Sequence, residues 1–160
     1  MIPLDRAPGA EAPVAARLDR EALVAAMAIV PGLYARNRHF SLHRQPEVRR
    51  ARARAAMIRG TVRQLAGAHG DVQGLALARH GEVSVLRYRI PQVHLERVLE
   101  LSEVERACLL FLAARAGVRG LHPTPEERGH LDSALRRLGT DVVEEALEGR
   151  GAVAMRRPGE

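Results

Sequence analysis

Apolar residues recur along this chain at two different spacings, and the change of spacing divides it into helical and extended segments. Before Gly67 and after Pro91 they recur every three or four residues, which is typical of helices that bury one face. In between, apolar and polar residues alternate in GLALARHGEVSVLRYRI, which is typical of strands. The predicted fold is therefore mainly α, within the α+β class: a helical domain with one inserted β-hairpin around residues 73–90. Helices are predicted from Asp19 to about Val30, from Pro46 to about Ala66, from Gln92 to Leu101, from Ser102 to Gly117, from Thr124 to Gly139 and from about Asp141 to Leu147.

The predicted hairpin turns at His80-Gly81 and sorts its side chains onto two faces. Arg79 and Glu82 are expected to pair across this tight turn. Because side chains alternate along a strand, apolar residues gather on one face and arginines on the other. The apolar face is predicted to carry Leu75, Leu77, Leu86 and Tyr88, and the opposite face Arg87 and Arg89.

Two helix starts are marked by capping residues. Ser102 with Glu105 three residues later forms a capping box. The run from Thr124 to Glu127 combines an N-cap, a proline in the first turn and a glutamate at the third position. The run Ala107–Ala114 is apolar on all sides, so the helix that contains it should be buried.

The domain organisation follows from where this patterning begins and ends. Residues 1–17 are rich in proline and alanine without apolar periodicity, and are predicted to form a flexible N-terminal arm. Residues 18–149 are predicted to form a single globular domain, and residues 150–160 a frayed C-terminal tail. Residues 33–45 fit either a short helix or a loop.

Composition alters this picture in one important respect. All 25 basic residues are arginine, so the choice of arginine at any one position indicates nothing about guanidinium-specific recognition. Aromatic residues make up only 2% of the chain, which leaves an aliphatic core and few rings to stack on bases. The single cysteine, Cys108, excludes an intramolecular disulfide and fits a cytoplasmic protein.

Charge is divided unevenly between the two halves of the chain. Residues 22–70 contain nine arginines and one acid, Glu47, for a net charge of +8. Residues 91–149 contain seven arginines and eleven acids, for a net charge of −4. The first half is therefore expected to engage an anionic partner, unless the acidic half neutralises it.

The helix predicted to begin at Pro46 concentrates this positive charge. On a helical wheel, Ala51, Ala55, Ile58, Val62 and Leu65 form an apolar stripe, with arginines on both of its flanks. The sequence therefore predicts a core-packing helix whose solvent side can bind an anionic surface. The predicted binding residues are Arg36, Arg38, Arg44, Arg49, Arg52, Arg59 and Arg63, with secondary contacts from Arg79, His80, Arg87 and Arg89.

We consider three functions for this arginine row. The first is a non-enzymatic binding or regulatory protein that engages an acidic protein partner or associates with itself. The second is a DNA- or RNA-binding protein, because helices, a basic helix and a hairpin follow in the order of a winged helix-turn-helix, with Tyr34 and Phe40 available for stacking. An enzyme is the third. Arginines that flank an apolar stripe are also ordinary in a helix with no partner, since their methylenes cover the core edge.

Candidate chemistry elsewhere is weak. His39 and His43 have helical metal-ligand spacing but no third ligand nearby. His130, Asp132 and Ser133 are adjacent on one helix, which is not the geometry of a catalytic triad. No phosphate-cradling glycine motif occurs. We therefore predict no catalytic residues, no metal, no cofactor, no small-molecule substrate and no membrane partner.

Overall fold

The computed structural model describes residues 20–30, 46–139, 141, 143 and 144. Helices and an antiparallel sheet both occur among these residues, which confirms the α+β class. The elements are α1 (Arg20–Ile29), α2 (Pro46–Gly67), β1 (Gln73–His80), β2 (Val83–Ile90), a short 3-10 helix (Pro91–Val93), β3 (Leu95–Leu101), α3 (Glu103–Arg115) and α4 (Pro125–Arg136).

The chain divides into two compact units. One comprises Met1–Ala55 with Ala134–Glu160, and the other comprises Ala56–Ser133. In the first unit, α1 buries most of its length in an apolar run, from Val24 to Val30. The second unit contains the whole sheet and α3.

The sheet has three antiparallel strands in the order β1-β2-β3, with β2 in the middle. Its inner face is apolar because Leu86, Tyr88 and Ile90 of β2 are buried. Arg87 and Arg89 alternate with them and are exposed on the outer face. The predicted division of the hairpin into an apolar face and an arginine face is therefore confirmed.

The helix predicted from Gln92 to Leu101 is wrong, because β3 occupies most of that segment. A short 3-10 helix, Pro91–Val93, turns the chain, and His94 follows it in the left-handed region with φ of 53°. From there Leu95–Leu101 pairs antiparallel with β2. The sheet is consequently larger than the single inserted hairpin that the sequence predicts.

The turn of the hairpin lies one residue later than predicted. His80 pairs with Val83, so the two loop residues are Gly81 and Glu82. Gly81 has φ of +65°, a conformation that favours glycine at the first position of a two-residue hairpin loop. The expected Arg79–Glu82 pair is therefore wrong, since Glu82 belongs to the loop and Arg79 lies opposite Ser84.

Both predicted capping motifs are present. The Ser102 hydroxyl accepts a hydrogen bond from the Glu105 backbone N–H, and the Glu105 carboxylate accepts one from the Ser102 backbone N–H. Thr124 and Glu127 exchange the same pair of hydrogen bonds at the start of α4. Helix α3 is buried over most of its length, as its apolar run predicts.

Several sequence predictions lie outside the described residues. These are the N-terminal arm, the Asp19 cap, residues 33–45, most of the helix from Asp141 to Leu147, and the C-terminal tail. The single globular domain over residues 18–149 stays a prediction. None of the helices in the described part of the chain is long and apolar enough to cross a membrane.

Candidate functional site

Helix α2 carries the candidate site, and its sequence explains its placement. Pro46 occupies the first turn, where a missing N–H costs nothing, and the body is rich in alanine and arginine, both good helix formers. Its apolar residues lie on one side and exclude water. Val48 is buried together with the stripe that the sequence predicts, which comprises Ala51, Ala55, Ile58, Val62 and Leu65.

The arginines of α2 lie away from this buried stripe. Arg49, Arg50, Arg52 and Arg63 are exposed. Arg54 and Arg59 are half-buried. The helix therefore presents guanidinium groups to solvent along its length while its opposite side packs inward.

Arg59 and Arg63 lie one helical turn apart, so their charges face a common region of solvent. Burial lowers the pKa of Arg59 from its ordinary value, and the positive charge of Arg63 lowers it further. Both effects mean that the Arg59 cation is in an environment that disfavours positive charge. An anion near these two side chains would be stabilised by both of them.

A small polar cluster connects the end of α2 with the sheet. The Tyr88 hydroxyl donates a hydrogen bond of 2.6 Å to Gln64 Oε1, and Arg97 Nη1 donates to the same oxygen at 3.3 Å. Burial raises the pKa of the Tyr88 hydroxyl, and the Arg97 charge and a hydrogen bond with Thr61 oppose this rise. The cluster satisfies polar groups that would otherwise be buried without partners.

An ionic network joins the sheet to α3 and α4. Arg106 Nε lies 2.7 Å from Glu127 Oε2, and Arg106 Nη1 donates to the Ser84 hydroxyl at 2.9 Å. Arg79 Nη1 lies 2.6 Å from Glu103 Oε2, and Arg79 Nη2 lies 3.5 Å from Glu127 Oε2. Two acids of the second unit, Glu103 and Glu127, are therefore engaged by these two arginines.

Of the predicted secondary contacts, Arg79 belongs to this network, and His80, Arg87 and Arg89 lie at the turn or on the outer face of the sheet. Arg79 donates a hydrogen bond to Glu103, and this bond and the Glu103 charge raise the pKa of Arg79 above its ordinary value. His80 is exposed beside the turn. On the outer face of the sheet, Arg87 lies opposite Val98 and Arg89 lies opposite Glu96. The remaining predicted binding residues lie outside the described residues: Arg36, Arg38 and Arg44.

The other candidates for chemistry are placed as follows. Cys108 is fully buried in α3, an environment in which a free cysteine packs as a small apolar side chain. His130 lies one turn from Glu126, with 3.9 Å between Nε2 and Oε2. No group of three or more potential metal ligands occurs within the described residues.

Sequence reasoning missed the ionic network and the Gln64 cluster. The capping pattern at Thr124 fixes the position of Glu127, but nothing in the sequence connects this carboxylate to Arg106, 21 residues earlier. Arg97 was also missed, because it was assigned to a helix that does not form. Comparison with protein-family models, with curated proteins and with solved structures finds no match for this chain.

Proposed function

We propose that the protein is a non-enzymatic binding protein that uses the exposed arginines of α2 to engage an acidic surface of a protein partner. The observation that supports this most strongly is the exposure of Arg49, Arg50, Arg52 and Arg63 on a helix whose other side is buried. Carboxylates aligned along such a helix would each form a charge-assisted hydrogen bond with a guanidinium.

The electrostatics within α2 favour an anionic partner. Burial lowers the pKa of Arg59 and the neighbouring Arg63 charge lowers it further, so an anion beside these two side chains is favoured electrostatically. In the second unit, the acids Glu103 and Glu127 are engaged by Arg79 and Arg106. These two acids therefore already have cationic partners within their own unit.

The aromatic rings in the described part of the chain do not support base stacking, and Tyr34 and Phe40, the rings proposed for stacking, lie outside the described residues. Proteins that bind single strands stack bases on exposed rings. Of the rings in the described part of the chain, Tyr88 is 2% exposed and Phe111 is 5% exposed. The Phe111 ring is also flanked by the Arg115 and Arg128 guanidiniums, at 5.4 and 5.2 Å from its centroid.

The winged-helix hypothesis loses part of its support because a residue expected to contact phosphates has a carboxylate partner within the fold. A wing is a projecting hairpin that contacts the phosphate backbone. Here Arg79, near the hairpin tip, is ion-paired with Glu103 within the fold. Nucleic-acid binding therefore stays the second hypothesis and an enzyme the third. The cytoplasmic location also stays a prediction.

The test compares the binding of labelled poly-L-glutamate and of random duplex DNA by fluorescence anisotropy at physiological salt. The variant Arg52→Gln/Arg63→Gln removes two exposed charges from α2 and leaves the half-buried Arg59 in place. We expect its affinity for poly-L-glutamate to fall roughly tenfold, since each exposed ion pair is worth up to about 1 kcal/mol.

The matched control is Arg119→Gln/Arg136→Gln, which removes the same charge from two exposed positions outside α2. We expect this variant to bind poly-L-glutamate within roughly twofold of the wild type. Equal losses in the two variants would show that only net charge matters. Tighter binding of duplex DNA that depends on Arg52 and Arg63 would assign the row to nucleic acid instead.

A further inference from the structure

Among the residues that the structure describes, strand β1 lies at an edge of the sheet, and the hairpin geometry determines which of its backbone groups face away from β2. His80 and Val83 flank a two-residue loop, so they form a hydrogen-bonded pair. In an antiparallel ladder such pairs alternate with non-hydrogen-bonded ones. Ala78, opposite Val85, therefore bonds to β2, whereas Leu77 directs its N–H and C=O towards the open edge.

The regular part of this edge, from Ala76 to Ala78, carries no charge, and the features that usually protect an edge lie on either side of it: an irregularity between Gln73 and Ala76, and the inner-face charge of Arg79. No charged residue occurs between Gln73 and Ala78, and Leu75 and Leu77 are only half-buried on the inner face. On the outer face, Ala76 and Ala78 are exposed and small. An edge of this kind is a template for another strand.

The opposite edge differs in its composition. Strand β3 carries three charged residues, Glu96, Arg97 and Glu100, within seven. Two copies of β3 paired with each other would bring carboxylates together on the outer face. The capacity for strand pairing is therefore concentrated at β1.

We propose that β1 pairs antiparallel with β1 of a second copy of this chain, with the two-fold axis at Leu77. In this register Leu77 lies opposite its own copy, and its outward N–H and C=O groups form two hydrogen bonds across the axis. Ala76 lies opposite Ala78 of the partner on the outer face. The two three-stranded sheets become one continuous sheet.

A second copy fits this edge because the edge is complementary to itself. A two-fold axis through Leu77 places opposite each other residues that lie equally far from it on the two strands, and such residues point to the same face of the sheet. Inner-face side chains of one copy therefore meet inner-face side chains of the other, and Ala76 meets Ala78 on the outer face. Arg79 lies opposite Leu75, away from its own copy, and its charge is compensated by Glu103. Pairing covers Leu75 and Leu77, which the single chain leaves half-exposed.

This pairing is independent of the function proposed for α2. It uses only residues of β1 and requires no acidic partner. A protein that fails to bind poly-L-glutamate could still form this dimer, and the reverse also holds.

Sedimentation velocity of the full chain, from roughly 10 µM to roughly 500 µM, tests the pairing over the affinity range of a small interface. We expect the wild type to shift from a species of 17.5 kDa to one of twice that mass. Ala76→Lys/Ala78→Lys should remain monomeric, because each introduced lysine faces another across the axis. Ala76→Lys/Ala78→Glu should dimerise, because each lysine then faces a glutamate.

The two variants control for each other, since both change the same exposed positions and share the first substitution. Circular dichroism should give the same spectrum for both. A wild type that is monomeric throughout would overturn the proposal. So would a dimeric Ala76→Lys/Ala78→Lys variant, or a monomeric Ala76→Lys/Ala78→Glu variant beside a dimeric wild type.

Discussion

The carboxylate of Glu127 is 4% exposed, and it accepts hydrogen bonds from the Thr124 backbone N–H and from the Arg106 guanidinium. Burial alone raises the pKa of a carboxyl group. Here the Thr124 hydrogen bonds and the Arg106 hydrogen bond and charge outweigh burial, and the pKa of Glu127 is below its usual value. The charged form of Glu127 therefore stabilises the folded state.

Replacing Glu127 with glutamine should destabilise the fold by about 3 kcal/mol, because it leaves the largely buried Arg106 without its counter-charge. Glutamine still accepts the capping hydrogen bond, so the start of α4 is retained. The free energy of unfolding in urea gives the measurement.

Glu126→Gln is the matched control for this change. The Glu126 side chain is 85% exposed, so its loss should change the free energy of unfolding by less than about 0.5 kcal/mol. Equal destabilisation by the two variants would contradict the role assigned to Glu127.

The same carboxylate predicts a pH dependence. Because the folded-state pKa of Glu127 is lowered, the unfolded state binds more protons than the folded state in the window between the folded-state pKa and the ordinary value of 4.5. The stabilisation is complete above that value and is lost as the pH falls through the folded-state pKa. The difference in unfolding free energy between wild type and Glu127→Gln should therefore narrow below about pH 4.5. A difference that stays constant or widens in acid would refute this.

For individual residues, the sequence predicted the side-chain hydrogen bonds that form between residues close together in the chain. The exchange between Thr124 and Glu127 involves positions three apart, and local spacing is enough to identify it. The Arg106–Glu127 pair joins α3 to α4, and it depends on how the two helices pack. No pattern in the sequence contains that information.

Among the secondary-structure elements, α2 was predicted most accurately because two signals agree. Its apolar residues repeat at the helical period, and Pro46 and Gly67 mark its ends. The buried stripe in the structure contains the same residues that the pattern selects. Helix formation and core packing are therefore specified by one pattern.

Ile58 tests whether this stripe stabilises the fold. It is fully buried, so Ile58→Ala should reduce the free energy of unfolding by about 2–5 kcal/mol through lost apolar burial and the cavity left behind. Arg63→Ala, on the exposed side of the same helix, should change it by less than about 0.5 kcal/mol. Similar effects at both positions would show that the stripe is not the packed face.

Strand β3 was mistaken for a helix because its apolar residues fit both periods. Leu95, Val98 and Leu99 have the three- and four-residue spacing of a helix. In the structure Val98 is 52% exposed on the outer face, and Arg97 lies on the inner face, where it donates to Gln64. Residues Leu95–Leu101 are extended because they pair with β2. The sequence of this segment alone does not indicate that pairing.

On the scale of the whole molecule, the uneven division of charge is the feature that the sequence showed most clearly. It predicted the sign of a partner's charge. It did not show that Glu103 and Glu127 are bound by Arg79 and Arg106, because these pairs form only when the sheet and helices pack.

The central claim, that the exposed side of α2 binds an acidic partner, is tested most directly by mapping backbone amide chemical shifts during titration with poly-L-glutamate. We predict that the shifts concentrate at the solvent-facing positions of α2, from Arg49 to Arg63, while Arg87 and Arg89 on the sheet change little. Shifts that concentrate at the sheet arginines, or that spread evenly over every exposed arginine, would contradict the claim.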